Sequence, residues 1–587
     1  MLNKINKIFE NKELYLILLI VILAQLILSF QGFDVCDEGF SLTFYQQIYN
    51  NPSSVEYNFV YWLSGVFGGL WYQVYPEGGI LWFRILTIIF NIATFTISYK
   101  ILKHHIGKNH ALIGLSMVLF VNDFGYLVFY HNHLTQFLAV LSIYFLFKGL
   151  KNVNYLFLII SGFLLGINVF SRLPNVTLFI FILAIPYFGY LKGYSYKKSI
   201  KPMLNFIVGI VIGFIAIFCL LNYLGQVDIM KNALLSLVHL GEAEDSGHNI
   251  KRLFLVDISN YKIILTLFSQ LLIIYIILMT ILNYVKTNKF IKGVIYTFGF
   301  LVLVLLVKKG NVHFLYTLGF IGTIGVLLIK TTTRSTKVLA FLSILMMVFL
   351  PLGSGGGIKS SGYMCIWLAV PFFFYFLSQI KNVSFILETT KVTITKGVSK
   401  RVIKNMSIIL VLAYFASKTY SVSQEAYFDK GNRFDKTHII KNKYVNGIFT
   451  TEERAKIIND LLLNIENYVE PEDYLFAYDN IPMIHFLTET KPYLYNPWVW
   501  IYDSASFKRK INKAEEEIEV LPIVVQQKFE TIFEFSKPMV DYLDETKNDS
   551  NSYSQKRTII MNNFLKRNDY RVVWSNAYFN IYRTNKR

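Results

Sequence analysis

About thirteen apolar runs, divided by short lysine-rich blocks, leave this chain of 587 residues few ways to fold. The runs lie at roughly 15–30, 79–99, 110–122, 133–148, 155–170, 173–190, 203–223, 261–283, 290–307, 313–329, 337–350, 363–379 and 404–418. Bilayer hydrocarbon is about 30 Å thick, and about 20 apolar helical residues cross it. Backbone groups inside a bilayer find no water, so such runs must close their hydrogen bonds within a helix. The sequence therefore predicts an α-helical polytopic membrane protein. Charged residues make up 16% of the chain and hydrophobic ones 54%, against about a quarter charged in a soluble domain. The net charge of +19 sits in blocks between apolar runs, which fits membrane topology and gives no reason to expect nucleic acid. Lys4, Lys7 and Lys12 precede the run Tyr15–Phe30 as in a signal peptide, but no small-residue cleavage site follows. The first run is expected to be a retained span. Cys36, Cys219 and Cys365 are too far apart to form a disulfide framework or a zinc motif.

An odd number of spans places the two termini on opposite sides, and the charges orient them. About 24 Lys and Arg fall in the segments assigned to one side, against roughly 7 in the other side's loops before the C-terminal region. Those few are Arg172, Lys231, Lys251, Arg252, Lys308, Lys309 and Lys359. The long loop 31–78 has no basic residue and carries Asp34, Asp37, Glu38, Glu56 and Glu77. By the positive-inside rule the N-terminus is cytoplasmic and the C-terminus extracytoplasmic, in a multi-pass protein of the inner (plasma) membrane. From about residue 420 charges of both signs appear, with Pro471, Pro482, Pro492 and Pro497. Ala455–Val469 has helical periodicity, Tyr474–Ala477 and Leu521–Gln526 look like strands, and Tyr570–Tyr582 reads as a hairpin around Asn576. The expected division is a transmembrane domain over 1–419 and a small extracytoplasmic α/β domain over 420–587. No P-loop or dinucleotide fingerprint is present in the sequence, so neither ATP hydrolysis nor redox chemistry has support.

Chemistry-bearing residues gather on the outer side. Asp34, Asp37 and Glu38 directly follow the first span, and carboxylates at a membrane boundary need compensation. A metal ion, a substrate hydroxyl or basic groups from another loop could supply it; alternatively, these are solvated loop acids that help set topology. Leu42–Tyr49 then looks like an amphipathic helix lying along the surface. Asp123 ends the third span, and Tyr130-His131-Asn132-His133 opens the fourth. Polar groups at the rim of an apolar bundle are functional candidates. An i, i+2 histidine pair, however, is more often interfacial than a metal site. Arg172 lies at a tight turn, Lys308 and Lys309 end the ninth span, and Lys359 closes a Gly-rich loop. Each could grip a phosphate or merely snorkel to lipid headgroups. Gly241–His248 reads either as part of an external flap or as a solvated acidic loop.

Taken together, these features resemble the GT-C glycosyltransferases, especially the bacterial group related to protein O-mannosyltransferases and lipid A aminoarabinose transferases. The resemblance rests on Asp37-Glu38 after the first span, about thirteen spans with an external C-terminal domain, and Asp123 on the second outer loop. It covers roughly residues 1–420 as architecture. It implies a GT-C-like bundle that moves a sugar, with inversion, from a polyprenyl-phosphate donor to a glycan, lipid or protein acceptor. By the same resemblance Asp37 is the general base, Glu38 orients base or acceptor, and Asp123 is a supporting acid. Arg172, Lys308, Lys309 or Lys359 would hold the lipid phosphate, with His131 and Asn132 beside the substrate. Asp34 is an extra acid that could replace Asp37 as base. No metal-ligand set is visible, so no cofactor is predicted, although a divalent metal is compatible with the acids. The competing classes are a transporter or flippase of lipid-linked glycan and a non-catalytic envelope assembly protein. Transporters favour inverted repeats with charges near the midplane, and neither is evident here.

Overall fold

A computed structural model describes residues 12–120, 128–239, 250–284, 288–380, 388–389, 392–393, 400–529, 538–539, 542–549 and 553–586. Each apolar run contains helix among the described residues. Among those residues eight helices are individually long and apolar enough to cross a membrane, from Lys12–Ser29 to Lys400–Gln424. A ninth crossing can be made by Ile358–Met364 and Ala369–Gln379, which meet at a bend of 74°. The remaining four runs are the shorter helices Lys108–Leu119, Tyr155–Asn168, Val312–Leu328 and Arg334–Phe349. The protein is an α-helical polytopic membrane protein with a small C-terminal α/β domain.

Small residues set the closest packing in the bundle. Helices Tyr155–Asn168 and Lys197–Tyr223 meet across Gly162, Gly166, Gly209 and Gly213. A Cβ at Gly162 would collide with the Phe206 carbonyl, and one at Gly209 with the Ile159 carbonyl. Such small-xxx-small stripes let helix backbones approach where lipid offers no hydrophobic drive to association.

The C-terminal domain is built on a five-stranded sheet ordered Lys491–Pro492, Tyr474–Tyr478, Ile523–Gln527, Phe579–Arg583, Arg571–Ser575. The first three strands are parallel and the last two join antiparallel. The strands expected near 474 and 521 and the hairpin around Asn576 are present, and the expected helix runs Glu452–Ile465. The domain is fastened to the far end of the first span: the Gly32 N–H donates to the Phe449 carbonyl at 2.8 Å, and the Phe449 N–H to that of Phe30 at 2.7 Å. It therefore sits at the Ser29 end of a helix whose other end is Lys12.

One expectation is corrected. The segment after the first span is not a surface helix. Helix Asp37–Gln47 is buried at every residue from Glu38 to Gln47. The C-terminal domain covers it so closely that a Cβ at Gly39 would overlap the Met483 backbone. The segment expected as an amphipathic surface helix over Leu42–Tyr49 thus belongs largely to a helix enclosed by protein.

Candidate active site

The acidic segment begins with a cap. The first turn of any helix leaves N–H groups without intrahelical partners, and here Asp34 takes two of them. Its Oδ1 accepts from the Cys36 N–H at 2.7 Å and its Oδ2 from the Glu38 N–H at 2.9 Å. Asp34 is fully buried. Burial, and then Asp37 and Glu38, push its carboxyl well above the usual range, while these N–H groups oppose the shift.

Glu38 is also buried, and its compensation comes from a residue that sequence reasoning missed. Arg84, in the first turns of helix Gly79–Ile106, is fully buried and pairs with Glu38 at 2.8 Å. Its Nε and Nη2 donate to Glu38, its Nη1 to the carbonyls of Ser29 and Gln31, and its Nη2 to that of Gly32. A guanidinium has five N–H donors, and this one spends them on Glu38 and the turn that ends the first span. Arg84 fell inside an apolar run, so a census of loop charges passed over it. The available signal was the lone arginine itself, because a charge at that depth requires a partner.

Asp37 is the accessible acid. It lies one residue past the cap and is half-buried, while both its neighbours are sealed. Its Oδ2 accepts a hydrogen bond from the Tyr427 hydroxyl, contributed from beyond the last span. Burial first, and Glu38 after it, raise the Asp37 carboxyl to about 6, and the Tyr427 bond opposes them.

Across from Asp37 stands a group of aromatic and polar residues. Tyr61 stacks on His131 with ring centroids 3.9 Å apart, and Tyr130 lies against the same imidazole at 4.0 Å. Burial raises the Tyr61 hydroxyl; Arg172 pulls it back and Asp37 pushes it further. One hydroxyl thus feels both charges, and His131 stacks on the same ring. Arg172 is only 5% exposed. Its Nη1 donates to the Leu350 carbonyl at 3.1 Å, and among the described residues no carboxylate pairs with it. Its turn is braced by Asn175, whose amide donates to Thr135 Oγ1 at 2.9 Å and the Asn168 carbonyl at 2.9 Å. Asn132 is buried beside His131, and its Oδ1 has no hydrogen-bond partner among the described residues.

The other expected residues are scattered. Lys308, Lys309 and Lys359 are exposed, and Lys308 lies 4.9 Å over the Tyr420 ring. His133 acts as a helix cap, its Nδ1 accepting from the Tyr130 N–H at 3.1 Å. Asp123 and the segment Gly241–His248 lie outside the described residues. Two positions from Arg172, Phe170 lines an apolar groove of about 690 Å³ with Phe214, Phe218, Met230 and Leu234, and Lys231 also lines it. Among the described residues no three His, Cys, Asp or Glu side chains cluster as metal ligands do. Both Asp34 oxygens accept N–H groups, Glu38 is held by Arg84, and Asp37 Oδ2 accepts from Tyr427.

No family model matches the sequence, and no curated protein matches it. Among solved structures, the chain is similar to the oligosaccharyltransferase of Archaeoglobus fulgidus tethered to an acceptor peptide. That match has 12% identity and a TM-score of 0.45, covering 89% of this chain and 70% of that one. The same archaeal enzyme in complex with zinc and sulfate matches at 13% identity and a TM-score of 0.43, over 87% of this chain and 68% of that one. ArnT from Cupriavidus metallidurans, bound to undecaprenyl phosphate, matches at 10% identity and a TM-score of 0.40. It covers 97% of this chain and 98% of that one.

Proposed function

We propose that this protein is a membrane glycosyltransferase of the GT-C kind, moving a sugar from a polyprenyl-phosphate donor to a hydroxyl of a cell-envelope acceptor. The observation that carries the reading is that a half-buried carboxylate, Asp37, and a buried guanidinium, Arg172, which no carboxylate among the described residues pairs, both act on the Tyr61 hydroxyl. A hydroxyl is a poor nucleophile near neutral pH, and a carboxylate within hydrogen-bond reach speeds its attack. Asp37 takes the acceptor proton as the acceptor oxygen bonds to the anomeric carbon. The bond from that carbon to the phosphate oxygen breaks, and its electron pair leaves with the lipid phosphate. Attack from the face opposite the phosphate inverts the anomeric centre. Arg172 faces the charge that develops on the leaving oxygens, and a preorganised cation there stabilises the transition state.

The remaining residues take supporting parts. Asp34 and Glu38 fix the backbone that presents Asp37, so Asp37 is the base and Asp34 is not. His131 and Asn132 border the sugar. Lys308, Lys309 and Lys359 lie too exposed to do more than attract anionic lipid. The groove beside Phe170 receives the polyprenyl chain. The reacting face is the extracytoplasmic one, with the N-terminus cytoplasmic, residues 1–419 as the catalytic bundle and 420–587 as the external domain.

The test is transfer of labelled sugar from lipid-linked donor in membranes carrying the full chain. Asp37→Asn is expected to abolish transfer without changing the melting temperature. Normal glycan product from that variant would sink the reading.

A further inference from the structure

Tyr427 belongs to the C-terminal region, yet its hydroxyl reaches Asp37 across 390 positions of sequence. Resting on the transferase reading of that site, we propose that Tyr427 is a positioning residue for Asp37, so that the C-terminal region completes the active site rather than merely covering it.

The loop that presents Tyr427 is held on all sides. Tyr427 has a φ of +41°, a conformation that side chains rarely adopt and that persists only when the surroundings enforce it. Ala426 and Asp429 close the turn around it, the Asp429 N–H donating to the Ala426 carbonyl at 2.7 Å and the Ala426 N–H to that of Asp429 at 3.2 Å. The Asp429 carboxylate is fully buried and receives Lys436 at 2.9 Å, Arg454 at 3.2 Å and the Thr450 hydroxyl at 2.6 Å. It also accepts the Phe33 N–H at 2.8 Å, while Arg454 donates to the Phe33 carbonyl at 2.9 Å. Phe33 directly precedes Asp34. One ionic cluster therefore anchors both the turn bearing Tyr427 and the segment leading into the acids.

The effect on Asp37 has a definite sign. Facing Asp37 are Asp34, Cys36 and Glu38 on its own segment, Tyr61 and Tyr130 from neighbouring loops, Tyr363 from the bent pair, and Tyr427. Arg84 pairs with Glu38, and Arg172 acts on the Tyr61 hydroxyl. Of these, Tyr427 is the one whose hydroxyl donates to the carboxylate. Donation to the charged form favours ionisation, and it leaves one oxygen aimed for proton transfer.

The experiment is infrared titration of the full chain in nanodiscs, with Asp37→Asn subtracted to isolate the Asp37 carboxyl. Tyr427→Phe is expected to raise its midpoint by about one pH unit. Tyr427→His, which restores a donor, should return part of that shift. Thr450→Val loosens the clamp without touching Tyr427 and should give a smaller shift of the same sign. It also keeps the test available if Tyr427→Phe does not fold. An unmoved midpoint in the folded variants overturns the inference. The acid limb of sugar transfer should rise together with the midpoint. A wild-type protein that transfers no sugar, but whose midpoint moves, would fail the transferase reading and leave the Asp37–Tyr427 coupling standing.

Discussion

Arg84 and Arg172 are both buried at the end of the bundle that bears the C-terminal domain, and their surroundings are opposite. Arg84 meets a carboxylate and three backbone carbonyls. Arg172 meets a single carbonyl, and among the described residues no acid answers its charge. An isolated buried charge is costly unless paired. The Arg84 region has met that requirement within the fold and serves as a bracket. The Arg172 region has left it open, and an anionic ligand can meet it. The acids repeat the contrast on the opposite sign: both Asp34 oxygens and Glu38 are engaged, while among the described residues Asp37 is held at Oδ2 alone. Asp37 and Arg172, for which no opposite charge stands as partner among the described residues, both act on the Tyr61 hydroxyl.

The contrast breaks or sharpens under substitution. The largest effect on folding is expected at Arg84. Arg84→Met strands the buried Glu38 and should cost about 3–5 kcal/mol, read as a collapse of the thermal transition in detergent. Arg172→Met removes a charge that nothing in the described fold requires, so stability should hold or rise slightly. Its loss should appear instead as a donor KM about 10–100-fold higher, matching roughly 1.5–3 kcal/mol for a hydrogen bond to a charged group. A destabilised Arg172→Met protein with normal KM would erase the distinction between the two arginines. The smallest effect belongs to Lys308, Lys309 and Lys359. Alanine at these exposed positions should shift stability by about 0.5 kcal/mol or less and leave donor KM unchanged.

Much of this architecture was legible in the sequence because lipid imposes simple rules. Apolar length located the helices able to cross a membrane among the described residues, and Asp37-Glu38 after the first span marked the candidate site. The sequence could not show which acid is free, since Asp34, Asp37 and Glu38 look equivalent until the cap and the ion pair are drawn. Arg84 was hidden inside an apolar run. Tyr427 gave no signal at all, being one tyrosine among 39 and joined to Asp37 only through the docking of the C-terminal domain. The buried helix Asp37–Gln47 failed for the same reason: its periodicity reflects local composition, while its burial depends on Met483 and the chain around it.

The central claim is that Asp37 removes the acceptor proton. The most direct measurement is sugar transfer from a polyprenyl-phosphate donor across the pH range around 6, comparing the wild-type chain with Asp37→Asn. Since burial holds the Asp37 carboxyl near 6, wild-type transfer should rise as pH increases through about that value and the base ionises. Asp37→Asn should lose about 10²–10⁴-fold in rate at an unchanged melting temperature. A variant that transfers at the wild-type rate with the same acid limb would contradict the account.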